Sequence, residues 1–143
     1  MKKIIITGIF AFILVASGCS SGTDIYNNAD ADTQQPTGQF EIQAADQKIE
    51  KNTISLMKLI VPEDSWIVVR DGDPYKGKII TYVTLKTGSY SDYIVPVPSG
   101  KYTKLAIVLN RDLGKKGVFE VPGADIPYYQ ANGNLALSII TLQ

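Results

Sequence analysis

A chain of 143 residues with 45% hydrophobic content is about one domain's worth, and its 14 Lys+Arg against 14 Asp+Glu leave a net charge of zero. That balance lacks the basic footprint of a nucleic-acid binder. The sequence contains no histidine and one cysteine, which excludes a Ser-His-Asp triad, His-ligated zinc, a His-Cys copper site and an internal disulfide.

Lys2 and Lys3 precede an apolar run over residues 4–15, and Ala16-Ser17-Gly18-Cys19 follows directly. A run of about a dozen residues is too short for a spanning helix, which needs roughly 20. A basic start, a greasy middle and a small-residue end describe a secretory signal. The segment resembles the lipobox of bacterial lipoproteins, in which small residues precede a Cys that receives a diacylglyceryl group before cleavage. Ala16 stands where that family usually has Leu, Val or Ile. The resemblance implies lipidation of Cys19, a signal peptide over residues 1–18, and a protein held on the extracytoplasmic side of a cell membrane. Each buried methylene contributes about 0.8 kcal/mol, so two acyl chains anchor stably where one does not. An acylated Cys19 removes thiol nucleophiles and thiolate metal sites as well, leaving carboxylate, Lys, Tyr or Ser/Thr chemistry.

Taking 18 from 143 leaves 125 residues with 12 Lys+Arg against 14 Asp+Glu, a slightly acidic mature chain. Residues 19–38 are rich in Ser, Gly, Thr, Asp, Asn, Gln and Pro, a composition that cannot bury enough surface to offset its ordering entropy. They read as a flexible linker with a root-mean-square reach of about 25 Å. Asp24, Asp30 and Asp32 lack the ligand spacing of a calcium loop and read as solvated.

Residues 39–143 alternate short apolar stretches with turn clusters, the pattern of an all-β domain. Strands are expected over residues 40–44, 53–61 and 66–70, the second ended by Pro62. Asp71-Gly72-Asp73-Pro74 and Lys76-Gly77 mark a loop. Residues 78–85 are rich in Ile, Val, Thr and Tyr, which suit a pleated surface, and Thr87-Gly88 turns the chain into residues 91–97. Pro96 and Pro98 place that strand at an edge or end it there. Ser99-Gly100 precedes a strand over residues 104–109, with Leu105, Ile107 and Leu109 on one face. A short strand or bridge is expected at residues 118–121, and a last strand at 135–142 after Asn132-Gly133-Asn134. No window of the mature chain carries a helical period. Without helical crossovers the sheets are antiparallel. The expectation is one immunoglobulin-like β-sandwich of seven or eight strands, with an open barrel as the alternative. Trp66 is expected at the core centre, the alternative being an aromatic ligand platform.

Over residues 40–142 the chain resembles an uncharacterised β-rich domain family of exported archaeal proteins, halophilic ones especially, and of some bacterial envelope proteins. The residues that carry this are Asp46-Gln47, Val61-Pro62, Trp66-Ile67-Val68-Val69, Gly88, Leu109-Asn110-Arg111-Asp112, Gly117-Val118-Phe119-Glu120, Asp125-Ile126-Pro127 and Gly133. Family members often have His where Asn110 stands. The resemblance implies an extracytoplasmic immunoglobulin-like module and no catalytic residues.

Asp112, Glu120 and Asp125 fall in one loop-rich segment and would suit a calcium ion, or else bond turn backbone as Asx residues do. Tyr75, Tyr90, Tyr93, Tyr102, Tyr128 and Tyr129 lie near expected loops and strand ends, where an apolar ring with a polar tip suits sugar or protein contacts. Among them Tyr128, Tyr129, Tyr90 and Tyr93 are the candidate ligand contacts, and strand propensity is the competing explanation. Arg111-Asp112 and Lys115-Lys116 read as a solvated loop, with an acidic polymer as the alternative contact. No cofactor motif is present. The expected function is therefore a lipid-anchored envelope protein presenting a non-catalytic interaction or structural module, with an envelope protein or glycan as partner and no nucleic acid. The rivals are a glycan or small-ligand binder using loop tyrosines and a carboxylate-based enzyme.

Overall fold

A computed structural model describes residues 38–143. The signal segment, Cys19 and the linker up to residue 37 lie outside the described residues. The domain is a sandwich of two antiparallel sheets built from β1 (Glu41–Gln43), β2 (Thr53–Val61), β3 (Ser65–Asp71), β4 (Ile79–Leu85), β5 (Gly88–Pro96), β6 (Lys104–Arg111) and β7 (Leu137–Thr141). The sheets run β1-β2-β5 and β4-β3-β6-β7. This is the immunoglobulin-like architecture expected, with the fourth strand on the sheet of β3, β6 and β7, where constant-type immunoglobulin domains put it on the other.

Strand alternation builds the core. Ile67 and Val69 of β3 and Leu105, Ile107 and Leu109 of β6 face Leu56, Leu59 and Val61 of β2 and Val95 of β5. In β2 the alternation changes parity at Met57-Lys58, both exposed. Opposite them Asp92 takes a left-handed φ of 50°, and the ladder skips from Leu56↔Tyr93 to Lys58↔Ser91. β5 is an edge strand that ends at Pro96, as its prolines require.

The same alternation corrects the placement of Trp66. Neighbours of Ile67 and Val69 must point to the opposite face, so Trp66 lies on the outer side of the four-stranded sheet. It is still only 5% exposed. Tyr82 and Phe119 meet its ring edge-on at 5.9 and 5.4 Å, and stack on each other at 3.9 Å and 13°. A satellite aromatic cluster thus seals this face, separate from the core between the sheets.

Residues 118–121, expected as a strand, are irregular. Gly114 and Gly117 take left-handed φ values of 53° and 74°. The N–H groups of Lys115, Gly117 and Glu120 go to carboxylates and that of Val118 to Lys115 O, not to a neighbouring strand. The last strand begins at Leu137 rather than 135. Before it, residues 126–128 take over as the neighbour of β6. Arg111 N donates to Ile126 O at 2.8 Å and Tyr128 N to Leu109 O at 3.0 Å. Pro127 in that stretch masks its strand character in the sequence.

Asp46 and Gln47 tie the β1–β2 loop across the sandwich. Asp46 Oδ1 accepts from Thr141 N at 2.7 Å, and the Gln47 amide bonds both Ser55 N and Ser55 O at 2.8 and 2.9 Å. All long strands run end to end, so the domain has two poles. The proximal pole, where β1 enters, carries the β2–β3 and β4–β5 turns and residues 112–125. The distal pole carries residues 44–52, 72–78 and 97–103, at the other ends of the strands.

Removal of the Trp66 ring would open the satellite cluster. Trp66→Ala should cost about 3–5 kcal/mol, read as a shift in the urea midpoint. A loss under about 1 kcal/mol would show that the outer face does not depend on the ring.

Candidate functional site

The four candidate tyrosines do not form one site, although Tyr90 and Tyr93 pair with each other. Tyr128 is fully buried in the core, where its ring packs on Phe40 at 5.0 Å. Its hydroxyl bonds Ser65 Oγ at 2.8 Å and donates to Glu63 Oε1 at 3.2 Å. The same Glu63 oxygen accepts from Arg111 Nε at 2.5 Å. Burial pushes the Tyr128 hydroxyl well above the ordinary tyrosine range. Tyr128 is therefore a buried tie between the proximal turns and not a contact open to ligand. Tyr129 faces outward and bridges Leu135. Tyr90 and Tyr93 pack edge-on at 5.3 Å against the inter-sheet core, with Tyr90 Oη donating to Lys86 O at 2.7 Å. Burial also raises the Tyr93 hydroxyl.

The three candidate carboxylates staple residues 112–125. Asp125 accepts from Leu113 N at 2.9 Å and Glu120 N at 2.7 Å. Glu120 accepts from Lys115 N at 2.9 Å, and Asp112 from Gly117 N at 2.9 Å. Lys116 Nζ donates to the Asp112 carbonyl. Each carboxylate thus serves the backbone of its own loop. Among the described residues no three Asp, Glu, His or Cys side chains are grouped to hold a metal ion. What the staples do is hold Phe119 over Trp66 and Tyr82.

The proximal pole is further paired by Lys86 Nζ and Asp64 Oδ2 at 2.6 Å. The Lys86 hydrogen bond holds the Asp64 carboxyl below its ordinary range, and Asp64 in turn raises the Lys86 amine.

The open concavities lie at the distal pole. One cleft of about 360 Å³ is lined by Asp71, Lys78, Ile79, Ile80, Pro98 and Tyr102. A second of about 280 Å³ is lined by Lys48, Ile49, Gly100, Tyr102, Leu142 and Gln143. Tyr102 belongs to both, standing as the ridge between them. Its base packs on the core, and its ring lies so close over Gly100 that any Cβ there would collide with it. The glycine of the Ser99-Gly100 turn thus seats the ring. Tyr102 stood among the six loop tyrosines of the sequence without distinction from the rest. The Gly-Lys-Tyr order after a turn is the signal that marks it. Nearby, Asp73 Oδ1 accepts from Tyr75 N and Lys76 N, both at 2.7 Å, and these amides, Lys76 foremost, hold its carboxyl low. A third hollow of about 280 Å³ lies along the β2–β5 side between Lys48 and Ile94.

The family described as Domain of unknown function (DUF7282) matches residues 40–142. The chain belongs to that family, in accord with the resemblance to an uncharacterised domain over the same stretch. No curated protein and no solved structure matches the chain.

Two measurements check this account of the proximal pole. Tyr128→Phe removes a buried hydroxyl bonded to Ser65 and Glu63 and should cost about 1–3 kcal/mol. Because folding raises the Tyr128 pKa, the folded chain keeps a proton that the unfolded chain releases near pH 10. The resulting stability is present below that pH and lost as pH rises above it. Stability curves of wild type should therefore fall more steeply above pH 10 than those of Tyr128→Phe, and parallel curves would refute the buried hydroxyl. Asp125→Ala removes two charge-assisted bonds and should cost about 2–4 kcal/mol, with new protease cutting between residues 113 and 124. An uncut loop would show that the staple is dispensable.

Proposed function

We propose that this protein is a lipid-anchored component of a cell envelope whose β-sandwich works by binding through its surface and carries out no covalent chemistry. The observation that carries this reading is the opposition of the two poles. The chain enters the sandwich beside the β2–β3 turn, where Phe40 packs on Tyr128, while both Tyr102 clefts lie at the other end of the strands. Strands of seven to nine residues at about 3.3 Å each separate the poles by roughly 25 Å. An anchor at Cys19 would tether the domain through the linker at its proximal pole and leave the distal clefts free to meet other molecules.

Two further features support the reading. No helix among the described residues is long and apolar enough to cross a membrane, so attachment in this account rests on the lipid. Asp112, Glu120 and Asp125, the carboxylates nearest to an acid–base grouping, are engaged by backbone amides. Carboxylates committed to the backbone of their own loop act as turn staples in this reading.

The anchor is tested by metabolic labelling with an alkyne fatty acid. Wild type should be labelled and sediment with membranes. Cys19→Ser should lose the label and leave the membrane fraction, and a variant that stays labelled would overturn the proposal.

A further inference from the structure

The two distal clefts are the same feature seen from either side of Tyr102. They run from the start of β4 to the end of β7, and each pairs apolar walls with polar tips: Ile79, Ile80 and Pro98 with Asp71 and Lys78 on one side, Ile49 and Leu142 with Lys48 and Gln143 on the other. At about 280 and 360 Å³ each stands at the small end of ligand sites, room for one small ring and not for a large cofactor. A central aromatic ridge with one ring-sized hollow on each side suits a linear polymer of small polar rings.

Charge narrows the choice. Lys48, Lys51, Lys76, Lys78, Lys101 and Lys104 all lie exposed at this pole. None of these lysines is ion-paired among the described residues, whose salt bridges lie elsewhere, at Lys58–Glu41, Lys86–Asp64 and Arg111–Glu63. The acids nearby, Asp46, Glu50, Asp71 and Asp73, offset only part of that charge, because a carboxylate bonded to backbone amides keeps its own, and six lysines against four acids leave the pole net positive. The proximal pole is neutralised by its own pairs, whereas the distal pole keeps a field of free ammonium groups around a tyrosine.

We propose that the distal pole is a binding groove for an acidic polysaccharide, laid across the Tyr102 ring with one sugar in each cleft. The C–H face of a sugar packs on the phenol ring, while Lys48 and Lys78 reach the carboxylates of the sugars on either side. Nucleic acid and lipid headgroups share the anionic chemistry. They lack the unbroken run of directly linked six-membered sugar rings that the paired clefts suit.

The test uses the full chain in neutral detergent, titrated calorimetrically with hexagalacturonate and with the uncharged cellohexaose. The measurement is made in solution and stands whether or not Cys19 carries lipid, so its failure is distinct from failure of the anchor. Hexagalacturonate should bind at low salt and weaken as salt screens the lysines, and cellohexaose should bind far less. Tyr102→Leu should weaken binding by about tenfold. Because Tyr102 also packs on the core, the exposed pair Lys48→Gln with Lys78→Gln serves as the second variant, with unchanged melting and about tenfold weaker binding. Absence of hexagalacturonate binding, equal binding of cellohexaose, or binding untouched by both variants would overturn the proposal. Tyr102-dependent binding of phosphatidylglycerol vesicles or of a single-stranded oligonucleotide as tight as that of the sugar would overturn it too.

Discussion

From Leu105 to Arg111 every residue of β6 is buried, which requires both faces and both hydrogen-bonding edges of one strand to be covered. β3 covers one edge in register from Ser65↔Arg111 to Asp71↔Leu105. β7 covers the other as far as Val108↔Leu137, and residues 126–128 continue where β7 is absent. Inward, Leu105, Ile107 and Leu109 meet the three-stranded sheet. Outward, Ala106 and Val108 are sealed as well. A strand buried on both faces satisfies its backbone only inside a ladder, so this one strand sets where β3, β7 and the long connection must go.

The long connection over residues 112–136 is the cost of that arrangement. It has little regular pairing of its own, and an irregular segment must still satisfy its N–H groups. Acidic side chains do this from within: Asp112, Glu120 and Asp125 each turn back on the loop. The result is a cover that places Phe119 on Tyr82 and against Trp66. Glu63, Arg111, Tyr128 and Ser65 close the same pole with a chain of hydrogen bonds beneath it. Desolvation of an ion pair is offset best when its remaining hydrogen-bonding capacity is met, and the Tyr128 hydroxyl helps to meet it for this half-buried pair.

The two poles therefore differ in kind. Most charges at the proximal pole are engaged by structure, in pairs and staples. Those at the distal pole are mostly lysines without partners, beside a ring held open by Gly100. The asymmetry gives the domain a direction, from the end where the chain enters to the end where it can meet other molecules.

Strand character was legible from residue order because alternation and turn chemistry are local properties. β2 matches its expected bounds, β3, β4 and β6 fall within a residue or two, and the edge position of β5 follows from its prolines. The absence of histidine, the one cysteine and the signal-like start are likewise properties of the chain itself. Tertiary structure alone decided which face each side chain joined. Trp66 looked like core by type, yet its neighbours Ile67 and Val69 claim the inner face and push it outward. Tyr128 and Tyr129 are adjacent in sequence and identical in chemistry, and pairing of residue 128 with β6 buries one and exposes the other. Tyr102 became the ridge between two clefts only when loops some fifty residues apart folded to the same pole. Such choices depend on which strands become neighbours, a matter of long-range packing to which a local pattern is blind.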